Sequence, residues 1–98
     1  MNQWTFLTNH THVLIAIQRN PQEKLRQIAE LVGITERSAH RIVTELIEYG
    51  VLSVEKDGRR NRYIVHADKP LRHPMEGTQT VQDLLMLARQ EEAPQKGR

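Results

Sequence analysis

Leu25 to Leu46 reads LRQIAELVGITERSAHRIVTEL, in which two short helical patterns are joined at a glycine. In the second pattern, apolar residues recur at the i, i+3, i+4 and i+7 spacing of a single helix face. Gly33 lies where the first helix must end, because glycine readily adopts the positive φ of a helix C-terminus. Thr35 is placed to cap the next helix with its hydroxyl. The segment therefore predicts a helix-turn-helix whose second helix covers residues 36–49.

A basic hairpin is predicted directly after these helices. Residues 51–55 and 62–66 have strand composition, and Asp57-Gly58 between them is a common turn sequence. Residues 56–62 contain four basic side chains and one acid, a local charge of +3 on a chain whose net charge is +2. Such a concentration of charge indicates that one edge of the protein meets an anionic partner.

The flanking segments complete the expected fold class. A largely apolar helix is predicted over residues 12–19, followed by a short strand at 24–25 and a helix over 26–32. Thr80 is placed to cap a last helix. The sequence thus predicts a mainly α-helical chain with a small β-hairpin. Its architecture would be a winged helix-turn-helix, with a three-helix core and a two-stranded wing, plus a C-terminal helix.

The composition excludes several classes of protein. None of the 98 residues is a cysteine, so disulfides and thiolate metal sites are ruled out. Neither serine lies in a nucleophile motif and no glycine-rich phosphate loop is present, so we expect no enzyme activity, no cofactor and no bound metal. No apolar run approaches the ~20 residues of a membrane span, and the N-terminus lacks the pattern of a signal peptide. We therefore expect a cytoplasmic protein without a membrane partner.

Two segments resemble the bacterial winged helix-turn-helix transcriptional regulators of the MarR/ArsR-like kind: GITERSAHRIVTELIEYGVL at 33–52 and GRRNRYIVH at 58–66. The resemblance covers roughly residues 6–87. It implies sequence-selective binding of double-stranded DNA, usually as a homodimer on a two-fold symmetric site. The basic hairpin, predicted independently from its charge, would be the wing of such a protein.

Four regions are expected along the chain. Residues 1–67 would form the winged helix-turn-helix DNA-binding domain, and residues 68–79 an extended connector bounded by prolines. Residues 80–92 would form a C-terminal helix, and residues 93–98, which show no periodicity, a disordered tail.

Candidate DNA-binding residues follow from the periodicity of the second helix and the composition of the wing. Arg41, on the exposed face, is predicted to contact a guanine in the major groove, and Arg37 to read a base or hold a phosphate. Ser38 suits phosphate binding at the helix start. The wing arginines are predicted to contact phosphates or enter the minor groove. The complete set is Thr35, Arg37, Ser38, Arg41, Thr44, Arg59, Arg60 and Arg62.

Each of these assignments has a simpler alternative. The helix arginines also fit a solvated face, on which Arg41 pairs with Glu45 at i+4. The wing arginines also fit a solubilising hairpin tip. Residues 36–48 contain two arginines and three glutamates, so their local charge is −1. This acidity predicts modest affinity per subunit, and a need for the wing and a second copy.

The last helix has two interpretations. Its apolar stripe could pack on the first helix of its own chain, or it could pair with the same region of a second subunit. We favour a homodimer, because a dimer that binds a symmetric operator needs a two-fold axis. The predicted dimerisation residues are Val81, Leu84, Leu85 and Ala88.

Two other functions compete with DNA binding. A winged helix can serve as a protein–protein interaction module, in which the arginines are incidental. The five histidines suggest a metal- or small-molecule-responsive sensor. Without cysteine, however, a metal site would need ligands from distant elements, and His10 and His12 project to different helix faces. Ordinary surface histidines are the better interpretation.

Overall fold

The computed structural model describes residues 4–88 of the chain. In order, the elements are α1 (Asn9–Arg19), α2 (Leu25–Val32), α3 (Glu36–Tyr49), β1 (Leu52–Asp57), β2 (Arg60–Val65), a short 3-10 helix (Pro74–Glu76) and α4 (Val81–Leu87). The two strands form an antiparallel hairpin. The prediction of a mainly helical chain with a small hairpin and a helix after it is confirmed. Across residues 4–88, every helix is too short or too polar to cross a bilayer.

The core lies where α1, α2 and α3 pack against one another, with β1 against α3 and α4 against α1. Ile17, Ile28 and Leu52, one from each of α1, α2 and β1, are among the largest fully buried side chains. Ala29 and Ala39 are also buried, and their small side chains allow α2 and α3 to lie close together. Burial of these apolar side chains is the main source of the fold's stability.

The turn between α2 and α3 forms as its sequence predicts. Gly33 has φ +88°, and its N–H donates to Ala29 O at 2.8 Å, which closes the end of α2. The hydroxyl of Thr35 accepts from the N–H of Ser38 at 3.0 Å, which caps α3. Helix α3 has the predicted bounds, 36–49.

Replacing Gly33 with alanine should destabilise the fold by about 1 kcal/mol, because the left-handed conformation is strained for any residue with a Cβ. A Cβ there would meet nothing within 4 Å, so the change tests backbone strain without a steric clash. Gly77→Ala is the matched control, since its φ of −64° suits alanine. Its stability should stay level or rise by roughly 0.5 kcal/mol in urea denaturation. Equal losses in the two variants would contradict the assignment.

The predicted strand at 24–25 is wrong. Lys24 is the N-cap of α2 and Leu25 is its first helical residue. A strand needs a ladder of partners, and here the chain before α2 meets β2 through one backbone bond, from Tyr63 N–H to Pro21 O at 2.9 Å. The loop therefore contacts the hairpin without extending its sheet.

The hairpin turns one residue later than the sequence suggests. Asp57 pairs with Arg60, so Gly58 and Arg59 are the two central residues of the turn. Gly58 has φ +68°, and among the described residues only glycines have positive φ. Positive φ at the first central position alone is characteristic of a type II′ turn. Along the strands, Lys56 faces Asn61.

The segment between the hairpin and α4 is folded back and not extended as predicted. Pro70 and Thr80 form an isolated β-bridge, so the ends of the intervening loop meet. Tyr49 OH donates to Pro70 O at 2.8 Å, which fixes the loop to the end of α3. Thr80 then caps α4 as predicted, and Asp83 completes a capping box with it. The rest of the predicted 80–92 helix, from residue 89, and the predicted tail at 93–98 lie outside the described residues.

Candidate functional site

A groove lies between the exposed face of α3 and the hairpin; we name it the α3–hairpin groove. One wall carries His40, Thr44 and Ile47, which recur at i, i+4 and i+7 along α3. The other wall is the hairpin, and the loop before α2 lines one end. The hairpin residues that line the groove are Val54, Lys56, Arg59, Arg60, Asn61 and Tyr63. The residues at that end, from the loop and the first position of α2, are Gln22, Glu23, Lys24 and Leu25.

The α3–hairpin groove is positively charged. Its lining includes the basic side chains of Lys24, Lys56, Arg59 and Arg60 and the acidic side chain of Glu23. In the part of the chain that the structure describes, the ion pairs are His10–Glu45 and Arg41–Glu45, and both lie outside this groove. The charge of the lining cations is therefore available to an anionic ligand.

The loop at 20–24 fixes the position of the hairpin tip. The side-chain amide of Gln22 donates to the carboxylate of Asp57. The amide of Asn20 in turn donates to Glu23 at 2.6 Å, which orders the loop itself. Together with the bond from Tyr63 N–H to Pro21 O, these contacts hold the basic turn beside α3. Sequence reasoning missed Gln22, because its contact with Asp57 spans 35 residues and no local pattern signals it.

The predicted residues of α3 are distributed over its surface. Arg37, Arg41 and Thr44 are exposed and lie on one side of the helix, at spacings of four and three. The structure brings Thr44 together with the basic turn in the α3–hairpin groove. Thr35 and Ser38 lie at the start of α3. The Ser38 N–H donates to the Thr35 hydroxyl, and the two hydroxyl oxygens lie 3.0 Å apart, so both side chains take part in the helix cap.

Two of the three predicted wing arginines line the α3–hairpin groove. Arg59 and Arg60 line the α3–hairpin groove from the turn. Lys56 and its partner Asn61 also line it, whereas the next pair along the strands, Glu55 and Arg62, does not. By strand alternation Arg60 and Arg62 project from the same face of β2, so Arg60 reaches the groove from its place beside the turn, whereas Arg62, further along the strand, does not line it.

Arg41 forms the ion pair that the simpler interpretation describes. Its Nη1 lies 3.5 Å from Oε2 of Glu45, although the Arg41 side chain stays 60% exposed. The other oxygen of Glu45, Oε1, lies 2.7 Å from Nε2 of His10. This hydrogen bond is the main cause that lowers the pKa of the Glu45 carboxyl, and the charge of Arg41 adds to it.

Several groove residues were not predicted. His40 was treated as an ordinary surface histidine, and Lys56 was counted only in the charge of the loop. Ile47 and Val54 are exposed apolar side chains of the groove, at 37% and 44% exposure. His40, Thr44 and Ile47 show i, i+4, i+7 spacing in the sequence. These positions lie next to the buried residues of α3, so the spacing alone does not identify them as a second surface of the helix.

The apolar stripe of α4 packs on its own chain. Val81 and Leu85 are 3% and 8% exposed and belong to the core, while Leu84 and Ala88 are half-buried. Helix α4 contacts α1, which is the first of the two predicted alternatives. Val81 and Leu85 are therefore already covered and offer no free surface to a second subunit. The prediction that they form a dimer contact needs this correction.

The largest exposed apolar side chains lie near a second groove, on the other side of α3, which we name the N-terminal groove. Its lining includes Phe6, Leu14 and Leu46. Trp4 and Phe6 stack edge to face with ring centroids 4.8 Å apart, yet they are 77% and 91% exposed. Exposed aromatic side chains beside an apolar groove are typical of an interaction surface. The other lining residues include Leu71, Leu84, Glu48, Arg72 and Glu76.

Among residues 4–88, no three histidine or carboxylate side chains are grouped so that they could hold a metal ion. His10 and His12 have separate partners, the carboxylate of Glu45 and the amide oxygen of Asn9. The two rings therefore do not converge on one site.

The family model HVO_A0114 matches residues 6–70. The chain belongs to the HVO_A0114 family. In this HVO_A0114 protein, the matched region runs from the N-terminal segment through α1, α2, α3 and the hairpin, and it ends before α4. The whole α3–hairpin groove thus lies inside the family region. No curated protein matches the chain.

Proposed function

We propose that this chain is a winged helix-turn-helix protein that binds double-stranded DNA selectively, as a transcriptional regulator of the MarR/ArsR-like kind. In this proposal α3 is the recognition helix and the hairpin is the wing. The order of three helices followed by a hairpin supports it, as do the helix-turn-helix cap and turn at Thr35 and Gly33. The major groove of B-DNA is wide enough to admit an α-helix such as α3.

The observation that carries the proposal is the α3–hairpin groove. Cations from the hairpin and exposed polar residues of α3 line one cleft, although they come from separate segments. When a helix enters the major groove beside a wing, a phosphate strand must pass between the two. Lys56, Arg59 and Arg60 are placed to contact that strand, and Arg59 can reach the adjacent minor groove from the turn.

Base reading is assigned to the exposed side of α3. Arg37 and Arg41 point away from the core, and an arginine fork suits the two acceptors of guanine. Thr44 lies at the border with the wing. Thr35 and Ser38 orient the helix start, whose free N–H groups suit a phosphate. Arg62 has the weakest case, because it does not line the α3–hairpin groove.

Selection of bound sequences from a random duplex library tests this function directly. A sequence-selective regulator enriches a short motif, and a protein–protein interaction module enriches none. Binding to random duplex at low salt should precede selectivity, because phosphate contacts supply the non-specific affinity. Failure of the wild-type protein to bind any duplex at low salt would overturn the proposal in favour of the interaction module.

A homodimer accompanies this proposal, with the N-terminal groove as the surface between the copies. The stacked Trp4 and Phe6 project beside an apolar groove, so under a two-fold axis each pair faces the groove of the other copy. The groove also presents both charges, with Glu48 and Glu76 against Arg72, so the surface is self-complementary. Leu84 of the predicted α4 stripe also lines this groove, as does the buried Val81.

Changing Phe6 to serine should raise the dimer dissociation constant at least about tenfold, because two copies each lose a buried ring. Leu31→Ser is the matched control: Leu31 is also an exposed apolar side chain, at 70%, but it lies on α2 outside the N-terminal groove. Sedimentation equilibrium measures both. Identical dissociation constants for the two variants would exclude this surface, and a monomeric wild type would exclude the dimer.

A further inference from the structure

One carboxylate, that of Glu45, is shared between two helices. Its Oε1 lies 2.7 Å from Nε2 of His10 in the first turn of α1, and its Oε2 lies 3.5 Å from Nη1 of Arg41, one turn earlier on α3. The two partners hold different oxygens of the same group. A stronger hydrogen bond with His10 therefore changes the position of the Glu45 carboxylate relative to Arg41, and a stronger contact with Arg41 changes its position relative to His10.

The contact with Glu45 opposes the role assigned to Arg41. A guanidinium that reads a base edge must extend outward from the helix into the groove. The Glu45 carboxylate instead draws it along the helix surface, towards the C-terminal half of α3. Because Glu45 is itself negative and about half exposed, it cannot follow Arg41 to the DNA without repulsion from the phosphates.

We propose that Glu45 is a positioning residue that withholds Arg41 from DNA, and that His10 weakens this hold by engaging the same carboxylate. The proposal rests on the DNA-binding function proposed above. It assigns a role to a contact between α1 and α3 whose two side chains are about half exposed and lie outside the core.

The surroundings of the pair are compatible with this role. Glu48, Arg72 and Glu76 line the same groove as His10 and Glu45, but among the described residues the carboxylate pairs with His10 and Arg41 include none of these three. Arg72 is instead held over the ring of Tyr49, with its Cζ 5.1 Å from the centroid. Arg41 and His10 are thus the partners of Glu45 that the geometry identifies. The lowered pKa of Glu45 is consistent with both contacts.

Two substitutions are expected to change DNA affinity in opposite directions. Glu45→Gln should tighten binding by about two- to fivefold beyond the effect of the charge, the range expected for one exposed ion pair. His10→Ala should weaken binding by about twofold, because Glu45 then engages Arg41 alone. Both effects should vanish when Arg41 is already alanine, which is the signature of a contact that acts through Arg41.

Matched controls separate this role from simple electrostatics. Glu48→Gln removes the same charge from α3 without touching Arg41, and His12→Ala removes a histidine of α1 whose ring is hydrogen-bonded to the side chain of Asn9 instead of Glu45. Affinities are measured by fluorescence anisotropy on the selected duplex. Gains that are equal for Glu45→Gln and Glu48→Gln, or a loss with Glu45→Gln, overturn the inference while leaving DNA binding intact. Absence of duplex binding by the wild type instead overturns the proposed function, and the inference with it.

Discussion

The Arg59→Ala, Arg60→Ala double variant should bind duplex DNA about 60-fold more weakly than the wild type at roughly 0.1 M salt. Both side chains line the α3–hairpin groove from the turn, and the structure shows no acidic partner for either among residues 4–88. Each neutralised phosphate contributes about 0.9 to the slope of log affinity against log salt, so two contacts correspond to that factor. The loss should apply equally to specific and random sequences, because phosphates carry no sequence information.

Arg62→Ala is the control that the hairpin itself provides. It removes the same charge only two residues from Arg60, but from a position outside the lining of the groove, across from Glu55. Its affinity should fall by less than about threefold, as expected for a distant cation screened by salt. Salt titrations over a decade of concentration should show a slope reduced by about two in the double variant and barely changed in Arg62→Ala. Similar slopes for the double variant and Arg62→Ala would mean that the hairpin does not contact DNA phosphates through the residues that line the groove.

Truncating Ile28 to alanine should destabilise the fold by about 3 kcal/mol. The side chain is fully buried where α2 packs against α1 and α3. The surrounding side chains can fill the space that it leaves only in part. The cost therefore combines the lost transfer energy with that of a cavity. For a domain of this size the loss is a large part of the total stability, which is roughly 5–15 kcal/mol.

Leu31→Ala gives the matched comparison, because Leu31 lies three residues along the same helix and is 70% exposed. Its stability should change by less than about 0.5 kcal/mol in urea denaturation. Under conditions in which the Ile28 variant stays folded, its affinity for DNA should remain near that of the wild type. Ile28 is buried in the core and does not itself contact the proposed DNA surface. A comparable loss of stability in both variants would show that α2 is not packed as described.

The local features of the fold could be predicted because their causes are local. The end of α2 follows from the backbone freedom of Gly33, and the start of α3 from the hydroxyl of Thr35. The capping box of α4 needs only Thr80 and Asp83, three residues apart. Each of these acts over a single turn of chain, so the sequence pattern contains all the information.

The basic charge of the candidate site could be predicted from the sequence, but the set of residues that line it could not. The charge of residues 56–62 identified a basic hairpin, yet the sequence could not show that Arg59 and Arg60 share a cleft with α3. A turn centred on Gly58 and Arg59 fixes the strand register, and a shift of one residue would exchange the two faces. The charge of the segment groups Arg62, which lies outside the groove lining, with Arg59 and Arg60, which belong to it.

From its sequence alone, this protein acquires its helices, their ends, its hairpin and the basic charge of the turn, because each depends on residues a few positions apart. Tertiary structure alone decides which cations meet α3, that Glu45 joins Arg41 to His10, and that α4 covers its own core. Those outcomes depend on contacts between residues tens of positions apart, whose geometry is set only when the three helices pack.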